Sequence, residues 1–209
     1  MRTYHGNAAF KAAFLAELAR HEAADHLVQG MYGRLAGDGT FRGCGVGCSL
    51  ASLNALAGRP VTERTDQHAR YPTELGWPQW LAYVEDAIFE GLPKSLARTW
   101  PRRLSEAVPV GVAIPEVMLT RVLRWCLADP TYGVRHATKD PEVVAMVNHL
   151  VGFITAAITG RAVMATGAAW IARVTRLGVH RPPRIGDDFY RAFSEYLMAE
   201  LRALEPVRG

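Results

Sequence analysis

Two thiols stand four residues apart in the run Gly43-Cys44-Gly45-Val46-Gly47-Cys48. Three interspersed glycines leave the backbone free to turn tightly, so the run reads as a glycine-rich loop that carries a cysteine pair. The third cysteine, Cys126, lies far along the chain beside Trp125 and reads as an inert core thiol.

Three chemistries fit this pattern. The first is nucleophilic. Cys48 precedes Ser49-Leu50-Ala51-Ser52-Leu53, a run that can open a helix, and a cysteine at a helix N-terminus loses its proton more readily. A thiolate nucleophile needs a base and a group that orients the base. His21 and Asp25, four apart on one predicted helix, supply both, and Glu85 is a second carboxylate for the orienting role. Cys44 is then a neighbouring or resolving thiol. A redox bridge between Cys44 and Cys48 is a close variant, decided by their Cα separation.

The second chemistry is metal binding. Cys44, Cys48, His68 and one of His5, His21 or His26 would make a tetrahedral set for zinc, or a site for iron. A second closely spaced ligand pair is missing, and His21 and His26 are five apart, so they do not stack on one helix face. The third is no chemistry at all: an interaction or inhibitor protein with Trp77, Trp80, Trp100, Trp125 and Trp170 as interface anchors. Polar burial separates the third reading from the first two. A protein that only binds a partner has no need to hold His21, Asp25, Glu85 and a thiol together.

Other motifs drop out. Gly43 to Gly47 lacks the Lys-Ser/Thr of a phosphate-binding loop and follows no predicted strand. Glu22 after His21 is not a metalloprotease pair, because the second histidine comes one residue late.

The elements that must position these residues read as helices. Asn7 is a predicted N-cap for a helix to about Gln29, with Phe10, Phe14, Leu18, His21, Asp25 and Val28 on one stripe. Met31 to about Asp66 is irregular and glycine-rich, with a short helix over Leu50 to Leu56. Pro78 to Glu90 reads as a helix with Gly91 as its stop, and it aims Glu85 where Leu81 and Ile88 point. Lys94 to Ala107 reads as a helix broken at Trp100-Pro101. Further helices start at Pro115 and at Asp140-Pro141, span Arg161 to Arg176, and run from Asp187 or Asp188 through Leu204. Arg181-Pro182-Pro183-Arg184 reads as a stiff linker, and no strand of period two and no internal repeat is found.

Several segments resemble an uncharacterised family of bacterial and phage proteins. They are Tyr4-His5-Gly6, His21 with Ala24-Asp25, the Gly43 to Cys48 run, His68, Glu74-Leu75-Gly76-Trp77-Pro78, Leu81 with Glu85-Asp86-Ala87-Ile88-Phe89-Glu90-Gly91-Leu92-Pro93, and Pro109-Val110-Gly111. The resemblance covers about the first half of the chain. It implies that these polar residues belong to one site and carries no activity with it.

Composition narrows the classes. With 209 residues, 49% of them hydrophobic, the chain can build one domain with a real core. The net charge is a mild +4, and nearly all cations are arginine. Arg98, Arg102 and Arg103, and Arg173, Arg176, Arg181 and Arg184, read as solvated helix faces and loop ends, not as a nucleic-acid surface. The apolar region Val143 to Val174 is interrupted by Asn148, His149, Gly160 and Arg161, which argues against a membrane span. Three cysteines and no signal-type N-terminal run point to a cytoplasmic protein with reduced thiols.

The reading is therefore an all-α, single-domain helical bundle over 1–209, with a site-bearing half (1–113), a scaffold half (114–209) and a glycine-rich cysteine loop after the first helix. The leading function is a thiol-dependent hydrolase or group transferase acting on a small molecule. Cys48 is the nucleophile, His21 the base, Asp25 or Glu85 the orienter and Cys44 the neighbouring thiol. No organic cofactor is expected, and zinc belongs to the metal alternative.

Overall fold

The Asn7 side chain accepts the Phe10 N–H at 3.0 Å and starts helix α1, Ala8–Ala23. The computed structural model describes residues 1–37, 39–61, 67–137, 139–158 and 186–205. The predicted helix Arg161 to Arg176, the proline linker, Trp170 and the cationic group Arg173, Arg176, Arg181 and Arg184 lie outside the described residues.

The structure is mostly helical, as an all-α fold requires. It departs from the sequence reading at several places in the site-bearing half. First, α1 does not reach Gln29. Asp25 takes a left-handed φ of 56°, which ends the helix and breaks the face that His21 and Asp25 were expected to share. Second, the region read as strandless holds a small hairpin. Strands β1 (Gly33–Leu35) and β2 (Phe41–Gly43) pair antiparallel, with Arg34 opposite Arg42. Strands of three residues are too short for alternation to show in a sequence.

Third, the glycine-rich run is not a loop. Helix α2, Gly45–Leu56, begins directly after β2, with Cys44 as its N-cap. Cys48 therefore lies a full turn inside the helix, not at its start. The glycines serve close approach: a Cβ on Gly43 or Gly47 would overlap the Tyr32 carbonyl oxygen. That oxygen accepts the Cys44 N–H at 3.2 Å. Residues Gly45 to Asn54 of α2 are all buried, so this helix runs through the core.

A 3-10 turn, His68–Arg70, leads into α3 (Tyr71–Leu75), α4 (Gln79–Gly91), α5 (Lys94–Ala97) and α6 (Trp100–Ala107). The break between α5 and α6 falls at Arg98-Thr99, not at Trp100-Pro101, because Pro101 sits in the first turn of α6, where its missing N–H is no loss.

Three of the family-like segments meet in a structural seam. Thr3 N–H donates to the Val112 carbonyl at 2.8 Å, and Gly111 N–H donates to the Thr3 carbonyl at 3.0 Å. The Tyr4 hydroxyl reaches the Ser105 carbonyl at 2.6 Å, and its ring meets Trp77 edge-on at 5.6 Å. A His5 ring nitrogen donates to the Glu74 carbonyl at 3.0 Å. Gly76 has a left-handed φ of 68° and lies against the Arg2 carbonyl, where no side chain fits.

The contacts divide the chain into two compact units where the sequence reading kept one domain. One is Met1–Ile114 with Ser194–Gly209, the other Pro115–Phe193. In the second, α7 (Glu116–Ala128), α8 (Val134–Ala137) and α9 (Pro141–Ile158) enclose a core of Leu127, Val147 and Ile154. Trp125 stacks on Phe193 at 5.5 Å beside Phe189. The final helix α10, Asp187–Arg202, gives its first residues to the second unit and its residues from Ser194 to the first. Among the described residues no helix is long and apolar enough to cross a membrane.

Candidate functional site

Cys44 follows β2 and caps α2, and its sulfur accepts the Gly47 N–H at 3.4 Å. Gly45 and Val46 add N–H groups that have no acceptor one turn back within the helix. The residue is only 2% exposed. Burial pushes its thiol far up, and the Asp86 carboxylate beside the sulfur holds the proton on more firmly, against the Gly47 N–H.

Asp86 comes from α4. Its Oδ2 lies 4.0 Å from His68 Nε2, and its buried Oδ1 accepts no hydrogen bond among the described residues. His68 stacks flat on Tyr83 with ring centroids 4.3 Å apart. The 3-10 turn that carries His68 is locked by Arg70, which donates to Gln67, Asn54 and Glu74 at 2.7 to 3.2 Å.

Glu85, the neighbour of Asp86, is 1% exposed. It accepts from Ser49 Oγ at 3.2 Å and from the Tyr71 hydroxyl at 2.7 Å. Its backbone carbonyl accepts the Trp100 indole N–H at 3.0 Å, which pins α4 to α6. Burial pushes the carboxyl up to about 8 despite those two hydrogen bonds, and the Asp86 charge adds to the rise. Glu85 is therefore mostly a neutral acid at pH 7, able to donate as well as accept.

The remaining sequence candidates stand elsewhere. Cys48 Sγ donates to the carbonyls of His26 at 3.7 Å and Gly43 at 3.6 Å. Burial raises its thiol to about 12. That leaves a thiolate fraction of ~10⁻⁵ at pH 7. Its hydrogen-bond partners are backbone carbonyls, not His21 or Glu85. His21 instead meets His26, Nδ1 to Nδ1 at 3.1 Å, and burial lowers it to about 4, helped by the neighbouring His26 and Arg20 charges. Asp25 has a side chain 68% exposed and pairs with Arg98 at 3.2 Å. So the sequence reading of Cys48, His21 and Asp25 as one catalytic set does not match where their side chains go.

The metal set also disperses, with His5 in the N-terminal seam and Cys48 on its carbonyls. Among the described residues no three His, Cys, Asp or Glu side chains form a group that could hold a metal ion. Cys44, Cys48 and Cys126 are all free thiols. Trp77, Trp80 and Trp100 are buried and are not interface anchors. Arg102 pairs with Glu22 and Glu106, and Arg103 with Glu195, each within 2.7 Å.

Sequence reasoning passed over Asp86, Ser49, Tyr71 and Tyr83. Asp86 entered the sequence reading only within the Glu85 to Pro93 run, with no role of its own. It lies three residues after Tyr83, so the two share a helix face, and that spacing was the available signal. No family model, curated protein or solved structure matches the chain.

Proposed function

We propose that the chain is a thiol-dependent enzyme, a hydrolase or group transferase acting on a small molecule, with Cys44 rather than Cys48 as its nucleophile. The observation that carries this reading is Asp86. Its charge acts on the Cys44 thiol and it lies 4.0 Å from His68, with a buried carboxylate oxygen that accepts no hydrogen bond among the described residues. Leaving such an acceptor unsatisfied costs about 1–3 kcal/mol, and a group kept at that cost is one a ligand can use.

Preformed thiolate is too scarce to react at this depth, so the proton must leave as the sulfur attacks. Asp86 is the adjacent acceptor, and His68 is the next group on, able to carry the proton away. As sulfur bonds to an acyl carbon, the carbonyl oxygen gains charge, and the N–H groups at the start of α2 are suited to stabilise it; when the adduct collapses, the bond from the acyl carbon to the leaving oxygen breaks and that oxygen takes up the proton the thiol lost. Neutral Glu85 keeps a second full negative charge out of the same buried cluster.

The test is acylation by 4-nitrophenyl acetate at pH 7.5, with the adduct located by mass spectrometry. An acetyl group on Cys44 is expected in the wild type and in Cys48→Ala. Asp86→Asn decides the role of the carboxylate. If Asp86 is only a neighbouring negative charge, its removal frees thiolate and speeds acylation. If it is the base, acylation slows by about 10²-fold or more. Faster acylation in Asp86→Asn, or an adduct on Cys48 alone, refutes the reading.

A further inference from the structure

Where α1 ends and the chain crosses to β2, a groove of about 500 Å³ opens between this segment and α5. It is lined by Asp25, Leu27, Val28, Gln29, Arg42, Lys94, Ser95, Ala97 and Arg98, and shares no residue with the Cys44 cluster. Three of the lining side chains are cations and one is an acid, a net charge of +2. The acid, Asp25, is already paired with Arg98. Arg42 and Lys94 are exposed and have no acidic partner among the described residues. Glu90 of α4 is already engaged, accepting the Gly30 N–H at 2.7 Å.

A second observation points the same way. Arg34 stands directly opposite Arg42 across the hairpin. Like charges in that register destabilise a strand pair, and Arg34 too is exposed, with no acidic partner among the described residues. Several other arginines of this unit are matched: Arg59 and Arg70 with Glu74, Arg102 with Glu22, Arg103 with Glu195. Arg42 and Lys94 in this groove, and Arg34 beside Arg42, thus leave positive charge uncompensated here. Leu27, Val28 and Ala97 also give the lining hydrocarbon surface. Gln29 is fixed in place by the Phe89 and Leu92 carbonyls, which its side chain reaches at 2.7 and 2.8 Å.

We infer that this groove is a binding site for a small phosphate-bearing anion, gripped by Arg42 and Lys94, with any organic portion resting on Leu27, Val28 and Ala97. Guanidinium and ammonium together suit a phosphate dianion. The volume is that of a small-molecule cleft. A nucleic-acid surface would instead spread its cations along an extended face.

Calorimetric titration of the full chain with phenyl phosphate, inorganic phosphate and phenol tests this at fixed ionic strength. Phenyl phosphate is expected to bind and phenol not to. Arg42→Ala and Lys94→Ala should each weaken phenyl phosphate binding about tenfold. Both residues are exposed, so circular dichroism should be unchanged. Phenyl phosphate binding more tightly than inorganic phosphate identifies an ester as the ligand, and equal affinity identifies the free ion. Binding that survives in the Arg42→Ala/Lys94→Ala double variant, or no binding by either phosphate, overturns the inference. So does a single-stranded oligonucleotide that binds where phenyl phosphate does not.

Discussion

Glu85 offers a direct measurement of how far the buried polar cluster departs from water. Its carboxyl is raised from the ordinary 4.5 to about 8 in the fold. In the unfolded chain it titrates at the ordinary value. Between those two values the native state holds a proton that the unfolded state has released, so stability falls as pH rises across this window. Each pH unit is worth about 1.4 kcal/mol where the two states differ by a full proton. From pH 5 to pH 7.5 the loss assigned to Glu85 comes to about 3 kcal/mol. Glu85→Gln keeps the shape and removes the titration. Urea unfolding of both proteins at constant ionic strength, in half-unit pH steps, gives the difference. Other titrating groups, His21 included, cancel between wild type and variant. Glu85→Gln is expected to gain about 3 kcal/mol on the wild type between pH 5 and pH 7.5. A difference that stays within about 0.5 kcal/mol over that range would mean the carboxyl ionises in the fold as it does in water, and the account of the cluster would fail.

Three further outcomes can be measured. His21 is lowered to about 4, so the unfolded chain binds a proton there that the native chain refuses between pH 4 and 6.5; His21→Gln should flatten the loss of stability as pH falls through that window, read from the same urea curves. Gly47→Ala should destabilise by about 2 kcal/mol or more, because the clash with the Tyr32 carbonyl outweighs alanine's helical advantage of about 1 kcal/mol. Gly152→Ala in α9 meets nothing within 4 Å and should stabilise by about 0.5–1 kcal/mol, so a melting comparison of the two separates packing from propensity.

Much of the helical framework was legible in the sequence. Asn7, Pro78, Pro115 and Asp140 stand at or next to the helix starts because capping and proline chemistry act over a few residues, within reach of a local reading. The apolar spacing around Glu85 placed its carboxyl on the core side of α4 in the same way, and the structure buries it there. The start of α2 was hidden for an equally local reason. Glycine is a poor helix former, so Gly45 and Gly47 read as loop. Only contact with the carbonyl of Tyr32, the residue before a strand not visible in the sequence, reveals why glycine is required there.

The sequence thus determined a helical protein with a thiol pair and a carboxylate aimed inward, since periodicity and caps are properties of short windows. Tertiary structure decided which thiol meets which acid. One residue in a left-handed conformation, Asp25, removed itself from His21, and one helix beginning four residues early exchanged Cys44 for Cys48 at the cap. The approach of Asp86 to Cys44 and to His68 joins residues 42 and 18 positions apart, and no local pattern encodes such a meeting because it is set by how whole helices pack.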